Sequence, residues 1–400
     1  MQLSAKHLEK YADVLIWGLE TARLKPFKPY DKILLRYDEE GMPLVEKLFK
    51  KLVEKRFHVI PRSVLNPVME TDFYRYSDSK QRKFIGNWEP LFFDEINGNI
   101  FISAPSSLTH LKNVDPGRIN ETAIARKKMR DILQKRDERG LFGWTLCTMP
   151  TTELASRAGI SREEYAQQII RACFLEMKDP VKKWSEIHAH SEEIKLNLNS
   201  LNIETIRLES ENCDLTIRQG EKRRYLGVSG HNIPSFEIFT SPDWRGANGI
   251  YFANLPSYRS GNYVKDVRLE FKNGSVVKSS ASEGEKFLRK MLSMDAGAKR
   301  IGEFSLTDRR FSKIDRFMAD TLFDENFGGD NGNSHVAVGM SYSDSYRGNP
   351  AGLDRAKKKE LGFNDSALHW DLVNTEKKRV TAKLKKGKSI TIYEDGIFKV

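Results

Sequence analysis

Near residue 200 the sequence changes the kind of sheet it can build. Before that point, short apolar strands alternate with helices. DKILLRY (31–37) precedes a segment with Val45, Leu48, Phe49, Leu52 and Val53 at spacings of three and four, the mark of one helical face. FHVIPR (57–62), NIFISAP (99–105), a basic helix over 118–138 and GWTLCTMP (143–150) continue the alternation. Strand–helix–strand repetition predicts a parallel sheet covered by helices. No glycine-rich phosphate loop follows these strands, so no nucleotide site is expected there. Residues 161–199 read as helical, opened by the Ser161/Glu164 capping-box pattern and then by Pro180.

After residue 200 the strands are punctuated by tight turns. CDLTI (213–217), VRLEF and SVVKS around the Asn273–Gly274 turn, HVAVGMSY (335–342), ALHWDLV (367–373) and the closing SITIYEDGIFKV with Asp395–Gly396 predict a mainly antiparallel sheet. A helix carrying Phe287, Leu288, Met291 and Leu292 lies among them. The expected fold is therefore α/β: an N-terminal parallel-sheet α/β domain with a helical connector over 1–199, then a C-terminal α+β domain over 200–400. The chain is long enough for two cores.

Of the 400 residues, 39% are hydrophobic and 30% charged, the mix of a soluble globular protein. No apolar run reaches the ~18 residues of a membrane span. The first residues, MQLSAKHLEKYADVLIWGLE, read as an amphipathic helix without the pattern of a secretory signal. Cys147, Cys173 and Cys213 are odd in number and lie in apolar or strand-like stretches, as expected of free thiols in the reducing cytoplasm. The net charge of +11 gathers in RAKKKE (355–360) and EKKRVTAKLKKGK (376–388), without aromatic interleaving. That is a solvated basic face, and no nucleic-acid partner is expected.

Chemistry concentrates in the second half. In HWD, His369 and Asp371 are two apart on a strand and share a face, while Trp370 points the other way. An imidazole and a carboxylate so placed are a ready pair of metal ligands, although short motifs also match by chance. Glu237 in IPSFEIFTSP and Glu303 in RIGEFSL are surrounded by apolar neighbours. Burying either requires a cation or a hydrogen-bond donor, unless each simply faces solvent from an edge strand. Glu325 and His335 flank a glycine-rich loop that could also be a plain connection. His188 and His190 lie about 200° apart around a helix, so they cannot share one ion. They read as surface histidines.

These segments resemble the thermophilic-type metallo-aminopeptidases. The matching blocks are NIPSFEIFTSP, GEKFL through GAKRIGEFSL, TLFDEN through SHVAVGMSY, and NDSALHWDLV. KPYDKILLRYDEEGMPLVEKL, TMPTTELA, DPVKKW and CDLTI extend the resemblance over nearly the whole chain. It implies an enzyme that releases the N-terminal residue of peptides with water activated by two divalent metal ions. Zinc suits the ligands, with cobalt or manganese as alternatives. The implied ligands are Glu237, Glu303, Glu325, His335, His369 and Asp371, with Glu303 bridging. Tyr342 matches the family's catalytic tyrosine, and Glu303 is a candidate to take the proton from the water. A homodimer is implied as well.

The chain departs from the pattern at PSFEIF, in a longer loop between Glu325 and His335, and at Trp370. His335 and Tyr342 are an odd number apart, so their strand must end, bulge or turn near Gly339 for both to reach one site. Another two-metal hydrolase, such as a phosphoesterase, is the alternative. It would want a cation beside the ligands, where the sequence offers only Arg300 and Arg347.

Overall fold

The structure is a computed structural model, and it describes residues 3–400. The chain forms two compact units. One runs to His188 and also takes in Val228–Ser235 and Met318–Leu322; the other holds Ala189–Gly227, Phe236–Phe317 and Phe323–Val400.

In the first unit, Ser4 caps the helix Ala5–Ala22 by accepting a hydrogen bond from His7 N. Leu8, Tyr11, Leu15 and Leu19 are buried along one side of that helix. It packs on the helix Met42–Glu54 and on the strand Gly143–Thr148. All five strands of this unit's sheet are parallel, in the order His58–Ser63, Lys32–Tyr37, Gly98–Ser103, Gly143–Thr148, Asn232–Ile233. The parallel α/β expectation is thus met. Its fifth strand comes from beyond residue 200, a long-range contribution that no local pattern announces. The turn that leads into it approaches the first helix so closely that a Cβ on Gly18 would sit 2.8 Å from the Gly230 carbonyl oxygen. The helix over 42–54 buries Leu44, Val45, Leu48 and Leu52, whereas Phe49 and Val53 remain exposed. Its buried stripe is narrower than its apolar spacing suggests.

The second unit is built from two large antiparallel sheets and a two-stranded ribbon of Ser257–Arg259 and Asn262–Val264. The larger has eight strands, running from Ser275–Ser280 at one edge to Ile397–Phe398 at the other. The smaller has the order His369–Asn374, Asn333–Gly339, Ile301–Thr307, Glu237–Thr240, Leu226–Gly227. One core joins them. Ile206, Leu208, Ile217, Leu269 and Val380 of the larger sheet meet Phe304, Leu306, Val336, Val338, Trp370 and Leu372 of the smaller. The helix Glu285–Leu292 adds Phe287, Leu288 and Met291 to this core, with the Phe287 and Trp370 rings edge to face at 5.9 Å. Tyr251 ties the sheets polarly, its hydroxyl donating to the carbonyls of Leu372 (2.7 Å) and Ser334 (3.1 Å).

One residue of the larger sheet works against this packing. Lys378 is only 3% exposed, and its Nζ has no hydrogen-bond partner among the described residues. Burial pulls its pKa down to about 7, an effect that Cys213 and Glu376 nearby only partly offset. The unfolded chain therefore keeps this proton up to about pH 10 while the folded protein releases it from about pH 7. Stability should rise with pH across that window. Replacing Lys378 by Met should stabilise the protein at pH 7 by about 2–4 kcal/mol and flatten the pH dependence between 7 and 10. Denaturant melts of both proteins at several pH values measure this; unchanged slopes would show that the amine is solvated.

Candidate metal centre

The smaller sheet has one face in the core and one face that carries the chemistry. Direct pairing places Glu303 opposite Ala337 and Ala337 opposite Asp371. It likewise sets Ser305 opposite His335, Thr307 opposite Glu237, and Gly339 opposite His369. Because side chains alternate along a strand, these residues all lie on the face away from Phe304, Leu306, Val336, Val338, Trp370 and Leu372. Small residues, Ala337, Gly339 and Ser305, separate the larger polar ones and leave room between them.

Glu303 reaches that face through an irregularity. Ile301 pairs with Val338 and faces the core, yet Glu303 pairs with Ala337 on the polar face. Gly302 is the extra residue, a β-bulge that resets the alternation. A Cβ there would lie 2.3 Å from the Met340 carbonyl oxygen, so only glycine fits.

The polar groups converge tightly. His335 Nε2 lies 3.0 Å from Glu303 Oε1, 3.3 Å from Glu237 Oε2 and 3.8 Å from Asp371 Oδ1. His369 Nε2 lies 3.3 Å from Asp371 Oδ1. Glu237, Glu303 and His335 are buried; His369 and Asp371 are mostly so. Their ligand atoms form two groups of three, Glu237/Glu303/His335 and Glu303/His369/Asp371, each within 4.8 Å. Glu303 belongs to both.

Hydrogen bonds fix several of these side chains. Ser305 Oγ donates to Glu237 Oε2 at 3.0 Å. His369 Nδ1 lies 2.8 Å from the Met340 carbonyl, to which it must donate, leaving the Nε2 lone pair free. Glu303 Oε2, though buried, has no hydrogen-bond partner among the described residues. Burial first, and the neighbouring carboxylates Asp371 and Asp344 next, push Glu303 up to about 8 despite the opposing pull of His369. Glu237 is pushed up to about 7, again chiefly by burial. Burial would raise Asp371 too, but His369 beside it holds its carboxyl well below the usual range. Burial opposes the charged form of His369, yet Asp371 and Glu303 outweigh it and raise its pKa. Three clustered carboxylates with an unused lone pair and two imidazoles form a donor set that fits divalent cations.

Tyr342 arrives over the same face because its strand stops. Gly339 has φ +106°, and a Cβ on it would meet the Leu368 carbonyl oxygen at 2.2 Å. The chain turns there, Met340 N bonds Leu368 O, and Tyr342 N donates to Ser241 Oγ at 2.8 Å. The Tyr342 ring ends 4.8 Å from the His369 ring and 6.0 Å from Phe239. Burial and the charges of Glu303 and Asp371 hold its hydroxyl protonated, with a pKa well above the ordinary value.

Five of the six expected ligands therefore come together. Glu325 is buried and close enough to Tyr342 for its charge to be felt, but it lies outside both groups of three. Its carbonyl is held by Thr307 Oγ1 and Asn333 Nδ2, which also grips Phe327 O. Glu237 and Glu303 do not face solvent from edge strands, since both strands are interior to the sheet. His190 is exposed beside Phe311, and His188 bonds the Val228 carbonyl at 2.8 Å. Arg300 stacks on Trp244 at 3.8 Å and Arg347 bonds the Asn199 carbonyl, so both expected cations are engaged elsewhere.

Sequence reasoning missed Ser305 and Asn364. Ser305 could have been found as the next residue on Glu303's face. Asn364 bonds the carbonyls of Gly297 and Gly339 and exchanges bonds with Ser341, fixing the turn before Tyr342. Nothing local marks it.

The model of the thermophilic metalloprotease (M29) family matches residues 4–398. Aminopeptidase AmpS of Bacillus subtilis (strain 168) is 27% identical over 330 residues, spanning 77% of this chain and 79% of its own. Aminopeptidase T of Thermus aquaticus is 29% identical over 305 residues, 72% of each chain. The solved structure of wild-type AmpT from Thermus thermophilus aligns with a TM-score of 0.77 at 22% identity, covering 98% of this chain and 99% of that one. With a match over almost its whole length, the chain belongs to the thermophilic metalloprotease (M29) family.

Proposed function

We propose that the protein is a metal-dependent aminopeptidase that hydrolyses the first peptide bond of peptides with two divalent ions. The observation that carries this reading is the pair of three-residue groups sharing Glu303. Glu237, Glu303 and His335 would hold one ion and Glu303, His369 and Asp371 the other, with Glu325 as a sixth ligand from the neighbouring loop. Bound zinc, cobalt or manganese supplies Lewis acidity, lowering the pKa of water and polarising the scissile carbonyl.

The chain's own groups do the rest. The free amine at a peptide's N-terminus would bind one ion while the scissile carbonyl faces the other, which would set the exopeptidase register. A carboxylate of this cluster, Glu303 among them, receives the proton of the attacking water. Tyr342, protonated and beside His369, donates its hydroxyl to the oxygen on which charge develops. The residues from Ala189 onward that form the two-sheet unit carry this chemistry. The relatives named aminopeptidase AmpS and aminopeptidase T support the substrate class. A phosphoesterase is disfavoured by the engagement of Arg300 and Arg347 elsewhere. Buried free Cys147, Cys173 and Cys213 suit the cytoplasm.

Chelation should abolish release of N-terminal residues, and zinc, cobalt or manganese should restore it, with N-acetylated peptides left intact. His369→Ala and Glu303→Ala should each carry at least one ion fewer per chain by elemental analysis. Full occupancy in both variants would show that other residues bind the metal, and equal cleavage of acetylated peptides would remove the amine from recognition.

Tyr342→Phe keeps the ring and deletes one donor. It should lower kcat by about 10²–10³ with little change in KM or bound metal. Measuring all three on one preparation separates the outcomes: normal kcat removes Tyr342 from the chemistry, and lost metal makes it structural. The family resemblance further supports a homodimer, and light scattering at micromolar concentration should give about twice 46.0 kDa; the monomer mass would refute it.

A further inference from the structure

The parallel sheet of the first unit carries a feature that peptide hydrolysis leaves unused. From Lys32–Tyr37 the chain passes to His58–Ser63 on one side, then returns to Gly98–Ser103 on the other. The order of winding reverses between Lys32–Tyr37 and Gly98–Ser103. In open α/β sheets, ligands bind outside the carboxyl ends of the strands at such a reversal.

Arg36 stands near the carboxyl end of Lys32–Tyr37, which borders the reversal, and Arg62 near the carboxyl end of His58–Ser63 on its other side. Arg36 and Arg62 are direct register partners on neighbouring strands, which places their backbones about 4.8 Å apart. Phe101 pairs with Arg36 from the other side. The Arg36 guanidinium lies 5.3 Å from the Phe101 ring centre, and that of Arg62 lies 4.7 Å from Phe92. Neither guanidinium has an ion pair or hydrogen bond among the described residues, and Arg126, itself paired with Glu89, adds a third positive charge near Arg36. Asp38 is the acid that acts on Arg36, but its carboxylate is turned to Ala104 N at 2.7 Å.

Like charges placed side by side on a sheet cost stability. Burial, then Arg126 and Arg62, lower the pKa of Arg36, although its side chain stays open to water. Aromatic rings beneath the two guanidiniums hold them without consuming their forked N–H donors. Such forks match planar or tetrahedral oxyanions.

We propose that Arg36 and Arg62, flanked by Arg126, bind a small molecule through a doubly charged oxyanion group, either a phosphate or a pair of carboxylates. The absence of a glycine-rich loop at this edge means that side chains, and not backbone N–H groups, hold the anion.

The test is calorimetric titration of the metal-loaded full chain with inorganic phosphate and, separately, with succinate, at low ionic strength. At least one should bind, and the double variant Arg36→Met, Arg62→Met should weaken it at least tenfold. Binding of phosphate alone identifies that source; binding of succinate alone identifies carboxylates. His369→Ala should leave this binding in place, which separates it from anion capture by the metal centre. Arg36→Lys with Arg62→Lys keeps both charges and removes the forks, and should also weaken binding if the Met pair fails to fold. The Met pair should raise the melting temperature in anion-free buffer by relieving repulsion. The proposal is overturned if neither anion binds, if the Lys pair binds as tightly as the native protein, or if binding is lost with His369 and kept without Arg36 and Arg62.

Discussion

Carboxylates that the chain itself neutralises only in part are what the second unit is arranged around. Glu237, Glu303 and Asp371 each come within 4 Å of His335 Nε2, and His335 with His369, which pairs with Asp371, cannot balance three negative charges. Without a cation, burial forces Glu237 and Glu303 toward their protonated forms. Such a cluster costs free energy that the core behind it must offset. Trp370, Phe304, Val336 and Leu372, packed against the larger sheet, are that core. Charge on one face and packing on the other are consequences of the same alternation.

Much of this was legible in the sequence, and for a physical reason. His369 and Asp371 are adjacent on one face by the period of a strand, so local spacing suffices to pair them. Glu237 and Glu303 showed themselves by their apolar neighbours. The shift from winding strands to hairpins near residue 200 was equally local. What local spacing could not supply was register between strands. That Glu303 stands opposite Ala337, and Ala337 opposite Asp371, depends on the bulge at Gly302 and on pairings more than thirty residues apart. The return of Asn232–Ile233 to the parallel sheet, and the grip of Asn364 on the turn before Tyr342, are long-range facts of the same kind.

The odd spacing between His335 and Tyr342 shows how a conflict in the sequence points to structure. A regular strand would send these side chains to opposite faces. Gly339 resolves the conflict by ending the strand in a conformation that a Cβ would forbid, with Leu368, Ser341 and Asn364 completing the turn. Departure from ideal geometry occurs where two chemical groups must be brought to one place.

The register of the smaller sheet has a consequence for how this protein can change. The five side chains that converge there come from four strands, and each alternates with a core residue. Shifting the His369 strand by one position would turn His369 and Asp371 inward and expose Trp370 and Leu372. The same holds for each neighbouring strand. Insertions and deletions inside these strands therefore strike fold and site together, so sequence drift can separate the two only in the loops. The four strands behave as one inherited unit, while the connection between Glu325 and His335 is free to lengthen.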